Sequence, residues 1–531
     1  MRLLAVGTRA LMLEVDDVEA LARWRAAVAG LVAKGLLAPP AEIVPGARTL
    51  LLDGVDPAAV AGRLAELGEL GDVGRQDVAP SPLVEVPVVY DGADLAEIAR
   101  RWGITERDVV ARHTGTEFRV AFCGFAPGFP YLVGMDGEVP RRAAPRPAVP
   151  AGSVGLAGRY CGIYPTCSPG GWQLLGTTGA QLFDADRDPP ALLPPGTRVR
   201  FVEVASVAAA DPAPLSPRDQ PNGRTMPTVR PNGRTMPTVQ PNGRTMTVLR
   251  AGALTTMQDA GRFGLAHLGV PRAGALDPEA ARLANRLVGN REDAAVLETT
   301  MDGVALRAET TLTVAVTGAP AAVTAAGAPA SWGVAVGVGA GQRLEIGSAI
   351  LGVRSYVAVA GGFAVKAVLG SRSTDILARL GPPPLSAGDV LPVGAPTTAP
   401  PAIEFTVPRP VTTPVVLRLT PGPREDWFGP ASLAVLMSAP YLLSELSNRV
   451  GARLVGPHVP RLFDGELESE GLVLGAVQVP PDGAPVVLLA DHPTTGGYPV
   501  IAVVHPGDLG PLAQVRPGAP IRFVLSKTPQ R

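Results

Sequence analysis

Positions 221–250 read PNGRTMPTVRPNGRTMPTVQPNGRTMTVLR, nearly the same ten residues three times over. A solenoid repeat needs a supersecondary element with a face to bury, usually over 20 to 50 residues. This unit is too short and too poor in large apolar residues for that. Proline withholds a backbone donor, and glycine raises the entropy cost of ordering the segment. The stretch before it, SVAAADPAPLSPRDQ, has the same texture. Residues 207–246 therefore read as a linker, which as a flexible tether would reach roughly 35 Å. Met246 then begins MTVLRAGALTTMQDAGR, a sequence suited to the start of an independent protein. The repeat marks a seam between two formerly separate chains.

The 531 residues are enough for several domains with ample cores. A formal net charge of -1 provides no global field for nucleic acid or an anionic membrane. Lysine occurs only at 34, 366 and 527, and none of the three sits in a G-x-x-x-x-G-K-[ST] phosphate loop or a Met-Lys-Met biotin setting. No covalent biotin is expected on this chain. Cys123, Cys161 and Cys167 have no paired metal spacing, which points to a reduced, cytoplasmic setting. The first residues are broken by Arg9 and Glu14 and do not read as a signal peptide. The uncharged run 310–342 holds Pro320, Pro329 and many glycines, so it reads as strands and turns, not a membrane span.

The fold class read from the chain is α+β, predominantly β. Residues 1–80 form a small α+β unit: RALMLEV alternates as a strand, and DVEALARWRAAVAGLVAKGLL has helical periodicity with Asp16 or Asp17 as cap. ARTLLLDG is a second strand, and Pro57 opens a second helix. Residues 81–206 turn to short apolar runs broken by Gly and Pro, with helices in DLAEIARRWG and after Thr105. Beyond the linker, 247–395 forms a first β-rich domain and 396–531 a second. Their clearest helix is DPEAARLANRLVG, with Asp277 as N-cap, Pro278 at the first position and Gly289 past the end. Many short strands favour barrel-like β architecture over a parallel sheet.

FCGFAPGFPYLVGM (122–135) sets Gly124, Phe125, Pro127, Gly128, Phe129 and Tyr131 in what reads as a rigid loop with backbone N–H groups and ring faces exposed together, or else a compact turn on a core. The following stretch to position 178 holds Arg141, Arg146, Ser153, Ser168, Gly170, Gly171 and Trp172. Arginine suits bidentate recognition of carboxylate or phosphate, and a Gly-Gly pair lets backbone approach a ligand.

These segments resemble the B subunit of prokaryotic 5-oxoprolinase, also called allophanate hydrolase subunit 1 or a sporulation-kinase inhibitor. After the seam, residues 254–303, 356–375, 443–457, 468–499 and 512–518 resemble the partner C subunit. The resemblance implies an α+β N-terminal unit and cyclophilin-like β-barrels in both halves. It implies a fused B/C component of an ATP-dependent lactamase that acts on 5-oxoproline with a separate A subunit. It also leaves open biotin-dependent carboxyl transfer to urea or a similar small amide, as in urea amidolyase, and non-catalytic regulation of a histidine kinase. ATP with Mg is the implied cofactor, bound at a non-Walker site or at the interface with the A-like partner.

Carried onto this chain, the catalytic candidates are Arg141, Arg146, Asp259, Arg262 and Asp491. The substrate or nucleotide candidates are the loop residues above together with Gln258, Gln478, Thr494, Thr495, Gly496, Gly497 and Tyr498. Asp277 has a competing reading as a helix cap, Glu298 as a loop anchor, and His113 as a packed histidine. No set of metal ligands is identifiable. Where the family commonly has Asp-Arg-Gln before Thr-Thr-Gly-Gly-Tyr, this chain has Asp491, His492 and Pro493. The two halves are expected to pack on each other and form one joint active site, with self-association left open.

Overall fold

The computed structural model describes residues 1–66, 82–207, 243–401, 405–409 and 412–526. Most of the expected linker lies outside the described residues. Its last residues do not: Thr245–Arg250 is a strand, and Met246 is buried opposite Ala308 and Leu391.

The first unit is an antiparallel sheet ordered Arg2–Val6, Ala10–Glu14, Thr49–Asp53, Glu42–Pro45. Strand side chains alternate between faces, and here both faces are apolar. Leu11, Leu13, Leu50 and Leu52 lie beneath the helices Val18–Ala33 and Pro57–Glu66. Asp17, not Asp16, caps the first helix, accepting from Ala20 N at 2.6 Å. Ala10, Met12, Val44 and Leu51 on the other face pack against Leu472, Val473, Ala476, Val500 and Val503 of the distant C-terminal unit.

Residues 82–207 form a seven-stranded sheet whose edge strands are Leu83–Val88 and Gln173–Thr177. A bridge from Val89 to Thr177 joins these edges, so the sheet curls into a barely closed barrel. Thr105 and Asp108 form a capping box at the start of the helix Glu106–Gly115. That helix carries His113 into the core. Its ring stacks on Phe201 at 4.3 Å between Tyr90 Oη (2.7 Å) and Cys161 Sγ (3.3 Å), and burial pushes its pKa down to about 3. His113 is thus a packed histidine.

After the seam, sheets of six and five strands share one core, in which Met246, Leu306 and Ile346 of one sheet meet Met257, Leu297 and Val357 of the other. The uncharged run 310–342 supplies four of their strands, as its turn pattern implies. The helix Pro278–Leu287 covers the outer face of the five-stranded sheet, with Asp277 Oδ1 accepting from Ala280 N as its cap. Residues 415–525 close into a seven-stranded barrel. Both barrel units pair their first and last strands in parallel: Leu83–Val88 with Arg198–Glu203, and Val415–Pro421 with Pro520–Leu525. No helix among the described residues is long and apolar enough to cross a membrane.

The two halves are one packed body. Besides the shared apolar cluster, Ala191 of the first half meets Leu268, Val270 and Leu380 of the second. Arg424 Nη1 reaches Glu14 at 2.9 Å, and Ala47 N donates to Ser469 O at 2.7 Å.

Candidate functional site

The Gly-rich loop that follows Glu117–Cys123 is seated on the second half. Gly128 N donates to Leu268 O at 2.8 Å, and Phe125 N to Thr495 Oγ1 at 3.1 Å. A side chain at Gly124 would place its Cβ 2.1 Å from that hydroxyl, so only glycine permits the approach. The rings do not lie open as a stacking platform. Phe129, Tyr131 and Trp172 are buried in one aromatic cluster with centroids 5.2–5.4 Å apart, and Phe125 alone is partly exposed. The N–H groups of Phe125 and Gly128 serve the junction, the buried rings pack within the first half, and Pro127 lies within the loop's turn.

Beside this loop is a recess of about 360 Å³ built from both halves: Tyr131, Arg141, Arg159 and Trp172 face Glu466 and Glu468. Arg141 Nη1 contacts Glu466 Oε2 at 2.5 Å, with the Tyr498 hydroxyl within electrostatic reach of both. Arg146 is engaged within its own half. Its Nη2 contacts Asp94 at 2.8 Å and its Nη1 reaches Trp172 O, while Arg142 contacts the same Asp94 oxygen at 3.0 Å. Despite the cost of burial, these partners hold the Asp94 carboxyl below its ordinary pKa. The bidentate arginine foreseen for phosphate is thus occupied by a carboxylate of its own chain. Ser153 is buried in a strand, and the Ser168 hydroxyl is buried without a partner. Gly170 leaves room for Tyr164, and Gly171 O accepts from Arg142 N.

The other candidates gather in a buried polar network within the second half. Asp259 accepts from Ser371 Oγ and Ser373 Oγ, both at 2.6 Å, and from the N–H groups of Arg372 and Gly261. Arg262 donates to Val368 O and Ser373 O, leaving Nη1 buried and unpartnered. Gln258 Nε2 reaches Thr256 and Thr374. Asp491 takes two contacts from Arg449, at 2.8 and 3.0 Å, and Arg449 also contacts Glu298. Glu298 further accepts from Leu276 N and the Tyr356 hydroxyl, so it ties the helix start to this network. Burial and the Asp491 charge raise the pKa of neighbouring Asp375.

Thr494 through Tyr498 run along the loop's seat. Thr494 is buried with its hydroxyl unpartnered, Gly496 pairs with Glu470, Gly497 O accepts from Leu467 N, and Gln478 Nε2 donates to Tyr498 O. His492 is half-buried, with Nδ1 2.7 Å from Pro493 O, and burial lowers its pKa.

A second cavity at the junction was not legible. It has a volume of about 350 Å³ and lies between the first sheet and the second half, lined by Arg9, Asp53, Phe263, Arg272, Arg282 and His505 among others. A neighbouring cavity of about 530 Å³ shares Arg272, Arg282 and Leu474 with it and reaches Asp259. In the sequence Arg272 and Arg282 stand inside GVPRAGALDPEAARLAN, which announces a helix and no site.

Matches to known proteins run along both halves. Residues 1–193 match the family described as carboxyltransferase domain, subdomain C and D, and residues 268–525 match subdomain A and B. The second half is similar to the C subunit of 5-oxoprolinase from Escherichia coli K12, 41% identical over 280 residues, which are 52% of this chain and 90% of that protein. The first is similar to the B subunit of 5-oxoprolinase from Escherichia coli O157:H7, 41% identical over 211 residues, 37% of this chain and 93% of that protein. The crystal structure of TTHA0988 superimposes with a TM-score of 0.80 at 38% identity, covering 97% of this chain and 99% of that one. The chain belongs to the carboxyltransferase-domain family, with subdomains C and D in its first half and A and B in its second.

Proposed function

We propose that this chain is the fused B/C component of an ATP-dependent 5-oxoprolinase, opening 5-oxo-L-proline to L-glutamate with a separate A-like protein. One observation carries the reading: its two halves span nine-tenths or more of relatives named as the B and C subunits of 5-oxoprolinase, and here they pack as one body. A five-membered lactam is a poor electrophile. Phosphorylation of its carbonyl oxygen creates a leaving group and admits water, which needs cations for the phosphate charge and a base for the water. Arg141 beside Glu466 and Tyr498, and Asp259 in the lining of the larger cavity, are the chain's contributions. Among the described residues no three His, Cys, Asp or Glu side chains are grouped to hold a metal ion. ATP, with Mg, is assigned either to a non-Walker site or to the interface with the A-like partner.

The test is to incubate the chain with ATP and 5-oxoproline, with and without that partner, and to measure phosphate and glutamate. Release that needs both proteins supports the reading. Release by this chain alone at a rate the partner does not raise would overturn it. The family description favours a second reading, carboxyl transfer to a small amide. Transfer from a carboxybiotin carrier to urea, without 5-oxoproline turnover, would select that one.

A further inference from the structure

We propose that the recess walled by Arg9, Arg272 and Arg282 binds the oxyanion of a small substrate, and that this oxyanion is a carboxylate. The three guanidinium groups come from separate segments: the turn before Ala10–Glu14, the loop ahead of Asp277, and the helix Pro278–Leu287. Among the described residues none of the three makes a side-chain hydrogen bond or ion pair, and Arg272 is held only by stacking on Phe263, 4.1 Å from its centroid. Arg272 is largely buried, and burial lowers its pKa. Asp53 and Glu42 oppose that shift, and Arg9 and Arg282 reinforce it.

The three fully buried arginines of this half are engaged: Arg449 by Asp491 and Glu298, Arg424 by Glu14 and Glu470, and Arg262 by two carbonyls. Like charges that converge in a recess with one carboxylate among them leave a net positive site, which an anion completes. Three arginines against Asp53 give +2. A singly charged carboxylate is the better fit, because Asp53 stands beside it and repels a dianion. Asp53 keeps one oxygen on Gly54 N at 2.8 Å. Its remaining acceptor capacity suits an N–H of the same ligand. The adjoining cavity gives room for the body of the molecule, in the size range of small-molecule sites. Naming the carboxylate as that of 5-oxoproline rests on the reading above, whereas the oxyanion chemistry does not.

The probes are 5-oxo-L-proline, inorganic phosphate, and 2-pyrrolidinone, which has the same ring without the carboxylate. Each is titrated calorimetrically into the full chain. We expect 5-oxoproline to bind at least ten-fold more tightly than 2-pyrrolidinone, and Arg272→Gln and Arg9→Gln each to weaken it about ten-fold. Arg343→Gln, on a distant exposed strand, should leave binding unchanged. Arg9 sits on an exposed turn, so its variant reports even if Arg272→Gln folds poorly. Failure of phosphate to compete supports the carboxylate; competition at equal concentration overturns that assignment and keeps the oxyanion. Equal binding of 2-pyrrolidinone, no binding of either anion, or binding that both variants preserve overturns the proposal. Full kcat/KM in both variants with the A-like partner would sink it while leaving the proposed function standing.

Discussion

Arg449 and Arg272 lie in the same half, and both are largely withdrawn from water, yet they are treated in opposite ways. Arg449 is saturated: two contacts to Asp491, one to Glu298, and Nη2 on Gly274 O at 2.7 Å. Arg272 has an aromatic face beneath it and no acceptor among the described residues. A buried charge that is fully paired holds elements together, here the sandwich against the last barrel. A desolvated charge left without a partner costs the fold free energy that only a ligand can offset. The contrast separates architecture from site more sharply than residue type does.

The contrast breaks if Arg449 proves dispensable. Arg449→Met would leave Asp491 buried without its counter-ion and Glu298 with only Arg354, 3.7 Å away, a change that costs about 3–5 kcal/mol. Denaturant unfolding should show that loss as a lower midpoint, or the variant should fail to accumulate as soluble protein. A midpoint within experimental error of the parent would mean that the network is not what holds these two units.

Glu42 lies between the two extremes. It reaches from the first sheet into the second half, accepting from Gly264 N at 2.8 Å and Ala266 N at 3.0 Å. Burial outweighs these donors and pushes its pKa up to about 7 from 4.5. The charge of Asp53 adds to that shift, and Arg272 opposes it. With the folded pKa raised, the stability it contributes is complete below about pH 4.5 and is lost as pH rises through about 7. At 1.36 kcal/mol per unit, the loss is at most about 3 kcal/mol. The parent should therefore unfold more readily at pH 8 than at pH 5. Glu42→Gln should flatten that profile, with a constant penalty because its NH₂ faces a backbone donor. An unchanged slope in Glu42→Gln would assign the pH dependence to another group.

Arg146 sharpens the comparison from the paired side. As a catalytic arginine suited to bidentate recognition, Arg146 replaced by Lys would cost turnover and spare stability. The contact with Asp94 reverses that order. Lysine keeps the charge but loses the second contact, to Trp172 O, so about 1 kcal/mol of stability should go while turnover stays within about two-fold. Thermal unfolding and steady-state kinetics on one preparation would check both. A large loss of turnover with unchanged unfolding would restore the catalytic reading.

These cases mark how far the chain could be read from its residues. Asp277 and Pro278 announce a helix start because capping is settled within four residues, and RALMLEV announces a strand because alternation is local. The apolar second face of that strand, Ala10 and Met12, was equally visible, but its partners Leu472 and Val503 lie more than 450 positions away. Separation along the chain also hid the difference between Arg146 and Arg272. Residue type states what an arginine can bind. Only the folded chain states whether Asp94, 52 residues away, already occupies it. The Gly124 loop was readable as special, but what presses on it, Thr495, was not.

The smallest effect expected is from cutting the seam. The halves share the cluster around Met12 and Val503, the seat of Phe125 N on Thr495, and the Arg424–Glu14 pair. None of these involves residues 208–242. A protease site placed among the repeats and cleaved after folding should give two fragments that co-elute on gel filtration at micromolar concentration. Turnover with the A-like partner should be unchanged. The connection then acts mainly before the halves meet, by raising the effective concentration of one for the other. Diluting the cleaved protein should in time separate the fragments where the intact chain stays active. Fragments that stay together but lose turnover on cleavage would show that the repeat takes part in the site, and the division between architecture and site would need redrawing there.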